Sequence, residues 1–151
     1  MRYVRLYILA DGDYNIVIMR NVAFNILRVG VAITFLWIGV LIFSEPAAWG
    51  AMLKPWAAGL LPIPIETAMF GTAILDILIG FLLLLDIWVL LATILGTIHL
   101  LIVIITVGIN LITVRDVGLL AGTLSLLVDS LPADLIKKLR LGNNQQNQNA
   151  N

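Results

Sequence analysis

The sequence predicts an all-α membrane protein: four transmembrane helices in an antiparallel bundle, with both termini cytoplasmic. Three observations carry that prediction. The 151-residue chain is 61% hydrophobic with a mean hydropathy of +1.05, and 12% of it is charged, about half the share usual in soluble domains. Its apolar runs come close to the ~20 residues a helix needs to cross a bilayer core. Basic residues also gather at the two ends: Arg2, Arg5 and Arg20 precede the first run, and Lys137, Lys138 and Arg140 follow the last. Lys54 and Arg115 alone fall in loops on the opposite side. The positive-inside rule then places both ends in the cytoplasm, which requires an even number of spans.

Residues 1–21 form an N-terminal segment, read either as a β-hairpin or as an interfacial helix. "YVRLYIL" and "YNIVIM" flank Asp11-Gly12-Asp13, and Asp-Gly between β-prone runs is a hairpin signal. An isolated hairpin is marginal in water, so it would need a surface to pack on. "ADGD" interrupts any apolar core, so this stretch is not read as a signal peptide.

The transmembrane domain, 22–131, begins with a span over 22–43. Glu45-Pro46 closes it, because the residue before a proline resists the helical region. The outer loop, 44–65, holds Pro46, Pro55, Pro62 and Pro64 together with Trp49 and Trp56, which suit the headgroup level. From Thr67 to Val114 the chain is nearly unbroken apolar sequence, too long for one span. It divides into spans over 66–85 and 88–108, with a tight turn near Asp86-Ile87. Gly108 and Asn110 end the third helix. The fourth covers 114–130, with Gly118 and Gly122 spaced for close helix contact. It is short, and Thr113-x-x-Asp116 is a weak capping-box match at its start. Residues 132–151 form a basic flank and a polar, mostly disordered cytoplasmic tail.

The polar residues inside the spans are the functional candidates. Asp76 sits in a wall of aliphatic side chains, where an ionised carboxylate costs about 2.5–3.5 kcal/mol on insertion scales. At a rise of ~1.5 Å per residue, Asp76 lies about 16 Å from the Asp86 turn and His99 about 19 Å, so the two reach similar depth on neighbouring helices. Phe70, Ala73, Asp76 and Gly80 share one face, so small residues flank the acid. Arg28 enters about 9 Å from the cytoplasmic end of the first span. It either snorkels to the surface or turns inward to Asp76 or Asp86. Two clusters result: Arg28, Asp76 and His99 in the bundle, and Glu66, Arg115 and Asp116 at its outer rim.

Each cluster has a plain structural reading. Asp76 and His99 either hydrogen-bond to each other and hold two helices together, or bind a ligand or handle protons. Arg115 and Asp116 read as a solvated helix start, with the acid suited to the helix dipole. The tryptophans read as interfacial anchors, except Trp37, deep in the first span. With no cysteine there is no disulfide, thiol redox chemistry or thioether haem attachment. A single histidine rules out bis-histidine haem ligation within one chain. No phosphate loop or nucleotide fingerprint occurs, a metal site is unsupported, and a net charge of zero offers nothing to nucleic acid.

Three stretches resemble the DoxX/DoxD-like family of small four-helix membrane proteins. "LRVGVAITFLWIGVLIF" is similar to the family's first helix, with arginine near its start and glycine later. "LDILIGFLLLL" is similar to its second, with an acid four residues before glycine and a leucine run after it. "VRDVGLLAGTLSLLV" is similar to its closing helix, with an Arg-Asp pair and Gly-Leu-Leu. Together they span about 27–128. The family often has glutamate where this chain has Asp76, and a basic residue where it has Ile42; residues 1–20 match nothing in it.

The resemblance implies a multi-pass protein of the cell membrane that works as a subunit of a quinone-linked oxidoreductase, respiratory or sulfur-oxidising. It would bind quinone and no covalent cofactor; Arg28, Asp76 and His99, the polar cluster read in the bundle, are the candidate binding or proton-handling residues. Its partners would be membrane lipid and either other complex subunits or further copies of itself. Two other classes stay open: a non-catalytic structural or assembly subunit, and a small-solute or proton pathway.

Overall fold

A computed structural model describes the backbone of residues 11–132 and the side chains of Met19 and of 21–132. Among the described residues six helices follow in order: α1 (Asp11–Ser44), α2 (Pro46–Gly50), α3 (Pro55–Gly59), α4 (Ile65–Leu84), α5 (Val89–Val107) and α6 (Thr113–Ser130). The four long ones form an up-down-up-down bundle. α1 packs most extensively on α4 and α5 on α6, while contacts between α4 and α5 and between α1 and α6 close the ring. The start of α1 and the end of α6 lie at the end that carries the α4–α5 turn. The opposite end carries α2, α3 and the α5–α6 turn.

Three segments are long and apolar enough to cross a membrane: Asn21–Ser44, Ile65–Leu84 and Val89–Val107. They agree with the first three predicted spans within a residue or two at each end. α6 occupies the predicted fourth position, but its 18 residues include Arg115, Asp116 and Asp129, and it does not reach the same apolarity. The bundle wears its apolar side chains outward as well as inward. Trp37, Ile26, Ile33 and Ile105 are all more than half exposed, as a lipid-facing surface requires. Trp37, predicted deep in its span, therefore points away from the bundle.

The hairpin predicted for the N-terminal segment is not formed from Asp11 onward. Asp11-Gly12 is helical, and α1 runs unbroken from there to Ser44. A continuous helix gives its interior amides partners, which a lone two-stranded ribbon cannot secure without a docking surface. The rest of that segment, 1–10, and the predicted tail from 133 lie outside the described residues.

The predicted outer loop contains two short helices, each with proline in its first turn (Pro46, Pro55). Proline fits there because its missing N–H has no helical partner at that position. Lys54 fastens this segment to the bundle: its N–H donates to Thr106 O at 3.0 Å and its Nζ to Ile105 O at 3.4 Å. The α4–α5 turn falls where it was predicted, without the glycine such a turn prefers. Ile87 N donates to Leu82 O at 3.0 Å and Asp86 N to Leu83 O at 3.3 Å, closing α4 as a Schellman cap. Asp86 takes the left-handed position at φ 59°, and Trp88 follows at φ 49°. Aspartate tolerates that region; for a bulky tryptophan it costs about 1–2 kcal/mol.

At the other turn Gly108, at φ 83°, ends α5 as predicted. The cap of α6 differs from the predicted Thr113/Asp116 box. Asn110 Oδ1 accepts the N–H groups of Ile112 at 2.8 Å and Thr113 at 3.0 Å. Thr113 Oγ1 returns the favour by accepting Asn110 N–H at 2.7 Å. This reciprocal pair releases Asp116 from capping, and its side chain is buried instead. Gly122 faces α1, where a Cβ would stand 3.1 Å from Val31 Cγ2, whereas Gly118 faces open space. Only half of the predicted glycine contact pair is therefore a contact.

Candidate functional site

Asp76 projects from the middle of α4 and His99 from the middle of α5. His99 Nε2 lies 3.0 Å from Asp76 Oδ1, and both side chains are nearly closed to solvent, at 12% and 4% exposure. Similar depth on adjacent antiparallel helices brings them together, as the rise per residue predicts. The two atoms stand at hydrogen-bond distance. Ala73 and Gly80, on the same face of α4, are buried too.

The pair opens onto a cavity of about 220 Å³ in the half of the bundle nearer α2 and α3. Its wall is mostly aliphatic and aromatic, with Phe35, Ile38, Trp49, Met69 and Leu100 among its members. Polar groups enter from three helices: Thr72 and Asp76 from α4, His99 and Thr106 from α5, Thr113, Arg115 and Asp116 from α6. An apolar chamber with a few convergent polar groups is the usual form of a small-molecule site. Asp116 is 5% exposed, and its Oδ1 accepts from both Nε and Nη2 of Arg115 at 3.2 Å. Arg115 is partly exposed at 41%, so this ion pair bridges the chamber and its edge.

The predicted clusters are thus regrouped. Asp76 and His99 share a chamber with Arg115 and Asp116 from the outer rim. Arg28 is elsewhere, at the α4–α5 end, and does not snorkel: it is 8% exposed. Its Nη1 donates to Leu83 O and, at 3.2 Å, to Leu84 O; its Nε stands 3.5 Å from Asp86 Oδ1. A fixed cation on the last carbonyls of α4 is favoured by the helix dipole and satisfies groups that no helical amide reaches. Glu66 is exposed in the first turn of α4 and is not part of the chamber wall. A carboxylate there suits the positive end of the helix.

Arg28→Ala is expected to destabilise the bundle by about 1–3 kcal/mol, the usual penalty for stranding buried hydrogen-bonding groups. Asp86→Asn is expected to stay under about 1 kcal/mol, because asparagine also tolerates the left-handed position, Asp86 is 57% exposed and such pairs are weak. Detergent-based unfolding of the two variants side by side checks the ordering.

Thr72, Thr106 and Trp49 were not among the predicted site residues. Thr72 had a usable signal, since it lies four residues before Asp76 and so on the same helix face. Trp49 had none, because a loop tryptophan reads as an interfacial anchor; here it is half-buried against the chamber. Among the described residues no three metal-ligating side chains gather. Comparison with protein-family models, curated proteins and solved structures gives no match.

Proposed function

We propose that the protein is an integral membrane subunit of the DoxX/DoxD-like type, whose bundle holds a quinone head group beside Asp76 and His99. In this reading it serves a quinone-linked oxidoreductase complex of the cell membrane, respiratory or sulfur-oxidising. α6 completes four spans in the company of lipid, partner subunits or further copies, and both termini are cytoplasmic. The observation that carries the reading is the chamber. At about 220 Å³ it exceeds the ~150 Å³ cavity that admits a benzene ring. It is therefore sized for one substituted ring, with an acid and an imidazole on its wall.

Bound quinone would supply two carbonyl oxygens that gain or lose protons with electrons. His99 would donate to one of them and Asp76 would hold the imidazole ring in place and balance its charge, the arrangement that makes imidazole an effective proton donor and acceptor. Trp49 and Phe35 would cover the ring and exclude water. The chain has no cysteine, so electron transfer belongs to a partner in this reading.

A short-chain quinone titrated into the purified protein tests it, with tryptophan fluorescence reporting through Trp49. The wild-type protein is expected to bind saturably. Asp76→Asn and His99→Gln are expected to weaken binding about 10- to 100-fold, the equivalent of one charge-assisted hydrogen bond. Absence of wild-type binding, or equal binding by both variants, would defeat the proposal. A structural or assembly role is favoured by one observation, that the Asp76–His99 contact itself ties α4 to α5.

A further inference from the structure

We infer that the Asp76–His99 pair exchanges protons with water at one end of the bundle only, the end carrying α2 and α3, by way of Asp116, which Arg115 holds at the edge of the chamber. The inference holds for any chamber ligand, so it does not depend on quinone.

The chamber is continuous from the pair to the start of α6. Three of its wall residues are also exposed, Ile102, Ile112 and Arg115. Ile112 and Arg115 mark a mouth at the α5–α6 turn. Asp116, buried on the same chamber wall, lies between that mouth and the pair and accepts from Arg115 at 3.2 Å. Among the described residues, the charged or titratable groups facing this space are Asp76 from α4, His99 from α5, and Arg115 and Asp116 from α6; α1, α2 and α3 contribute none. The volume is about seven waters' share of liquid, and the hydroxyls of Thr72 and Thr106 on its wall offer those waters partners.

Toward the other end the bundle is closed. Ile79, Leu83, Ala92, Thr93, Thr123 and Leu126 are all 0% exposed. Phe35 fills the crossing over Gly96, where a Cβ would meet its ring at 3.1 Å. Beyond that floor Arg28 is fixed to the carbonyls of Leu83 and Leu84. A proton reaching Asp76 from that side would have to cross a dry, packed layer. Intramembrane ionisable groups lined up with an aqueous edge are the usual make-up of a proton relay. Here the relay has one exit, so the molecule gives sided access and no through-path.

The absence of native cysteine makes the test direct. Single-cysteine variants in sided membrane vesicles are treated with a membrane-impermeant thiosulfonate. Leu60→Cys and Ile87→Cys, at exposed positions on opposite ends, report the two faces. Thr72→Cys and Thr106→Cys are expected to react only from the Leu60 face, and Thr123→Cys from neither. In parallel, infrared spectra follow hydrogen–deuterium exchange of the His99 ring N–H, identified by its loss in His99→Gln. Asp116→Asn is expected to slow that exchange about a hundredfold, the low end of what a positioned proton-transfer group supplies. Asp116→Glu is expected to restore it, which a merely structural role would not predict. Reaction of Thr72→Cys from the Ile87 face or from neither face, or wild-type exchange in Asp116→Asn, overturns the inference.

Discussion

Gly80→Ala is expected to destabilise the bundle by about 1–3 kcal/mol, the range for forcing a methyl group into a packed core. At Gly80 a Cβ would lie 2.8 Å from Ala32 O, 2.8 Å from Leu36 Cγ and 2.9 Å from Leu36 N. Two of those atoms are backbone, so no rotamer change relieves the clash and α1 must move away from α4. Gly39 faces the same problem from the other helix, with Ala73 O 2.9 Å from its built Cβ. These two glycines set how closely the most extensive helix pair can approach, the role small residues play where lipid supplies no hydrophobic drive to associate. Gly118→Ala is the matched control. Nothing lies within 4 Å of its built Cβ, so it is expected to change stability by no more than about 0.5 kcal/mol or to raise it slightly. Unfolding in mixed micelles measures both. Equal effects at Gly80 and Gly118 would show that helix propensity alone, and not the crossing, explains the glycines.

The same contrast marks what was legible in the sequence. Span positions and the Asp86 turn could be read because bilayer thickness fixes helix length, and because a long apolar run must reverse once. The Asp76–His99 pairing was legible for a related reason: the rise per residue converts sequence distance from a turn into depth. What depth does not give is direction around the helix axis. Gly118 and Gly122 have the same spacing to any neighbour, yet one meets Val31 and the other nothing. Arg28 shows the same limit. Its distance from a span end left two outcomes, and its choice of Leu83 O, Leu84 O and Asp86 depends on how α1 leans on α4. Asp116 read as a solvated helix start until Asn110 took over the cap. Once the N–H groups of Ile112 and Thr113 were satisfied from Asn110, the acid was free to turn inward. Glu66 stayed outside because its own helix start already provides for its charge.

His99→Leu and Asp76→Leu, made singly, are each expected to lose about 3–5 kcal/mol, because each leaves its partner buried without a counter-group. The double variant is expected to behave in the opposite sense, matching the wild type or exceeding it by about 1–4 kcal/mol, as apolar replacement of a buried pair commonly does. The two side chains are 12% and 4% exposed and stand beside aliphatic neighbours and open chamber volume, so two leucines can pack there. Their combined effect will not be the sum of the single effects, since the residues touch. The comparison separates the two roles of the pair. If it exists to lock α4 against α5, the double variant stays as unstable as the singles. If it is kept for chemistry, the double variant is stable and folded yet binds no quinone and exchanges no proton at the site. A carboxyl and an imidazole facing a chamber, and connected to an aqueous edge through Asp116, are costly as a lock. Two leucines would do that task with less desolvation, which is why the stable double variant is the expected result.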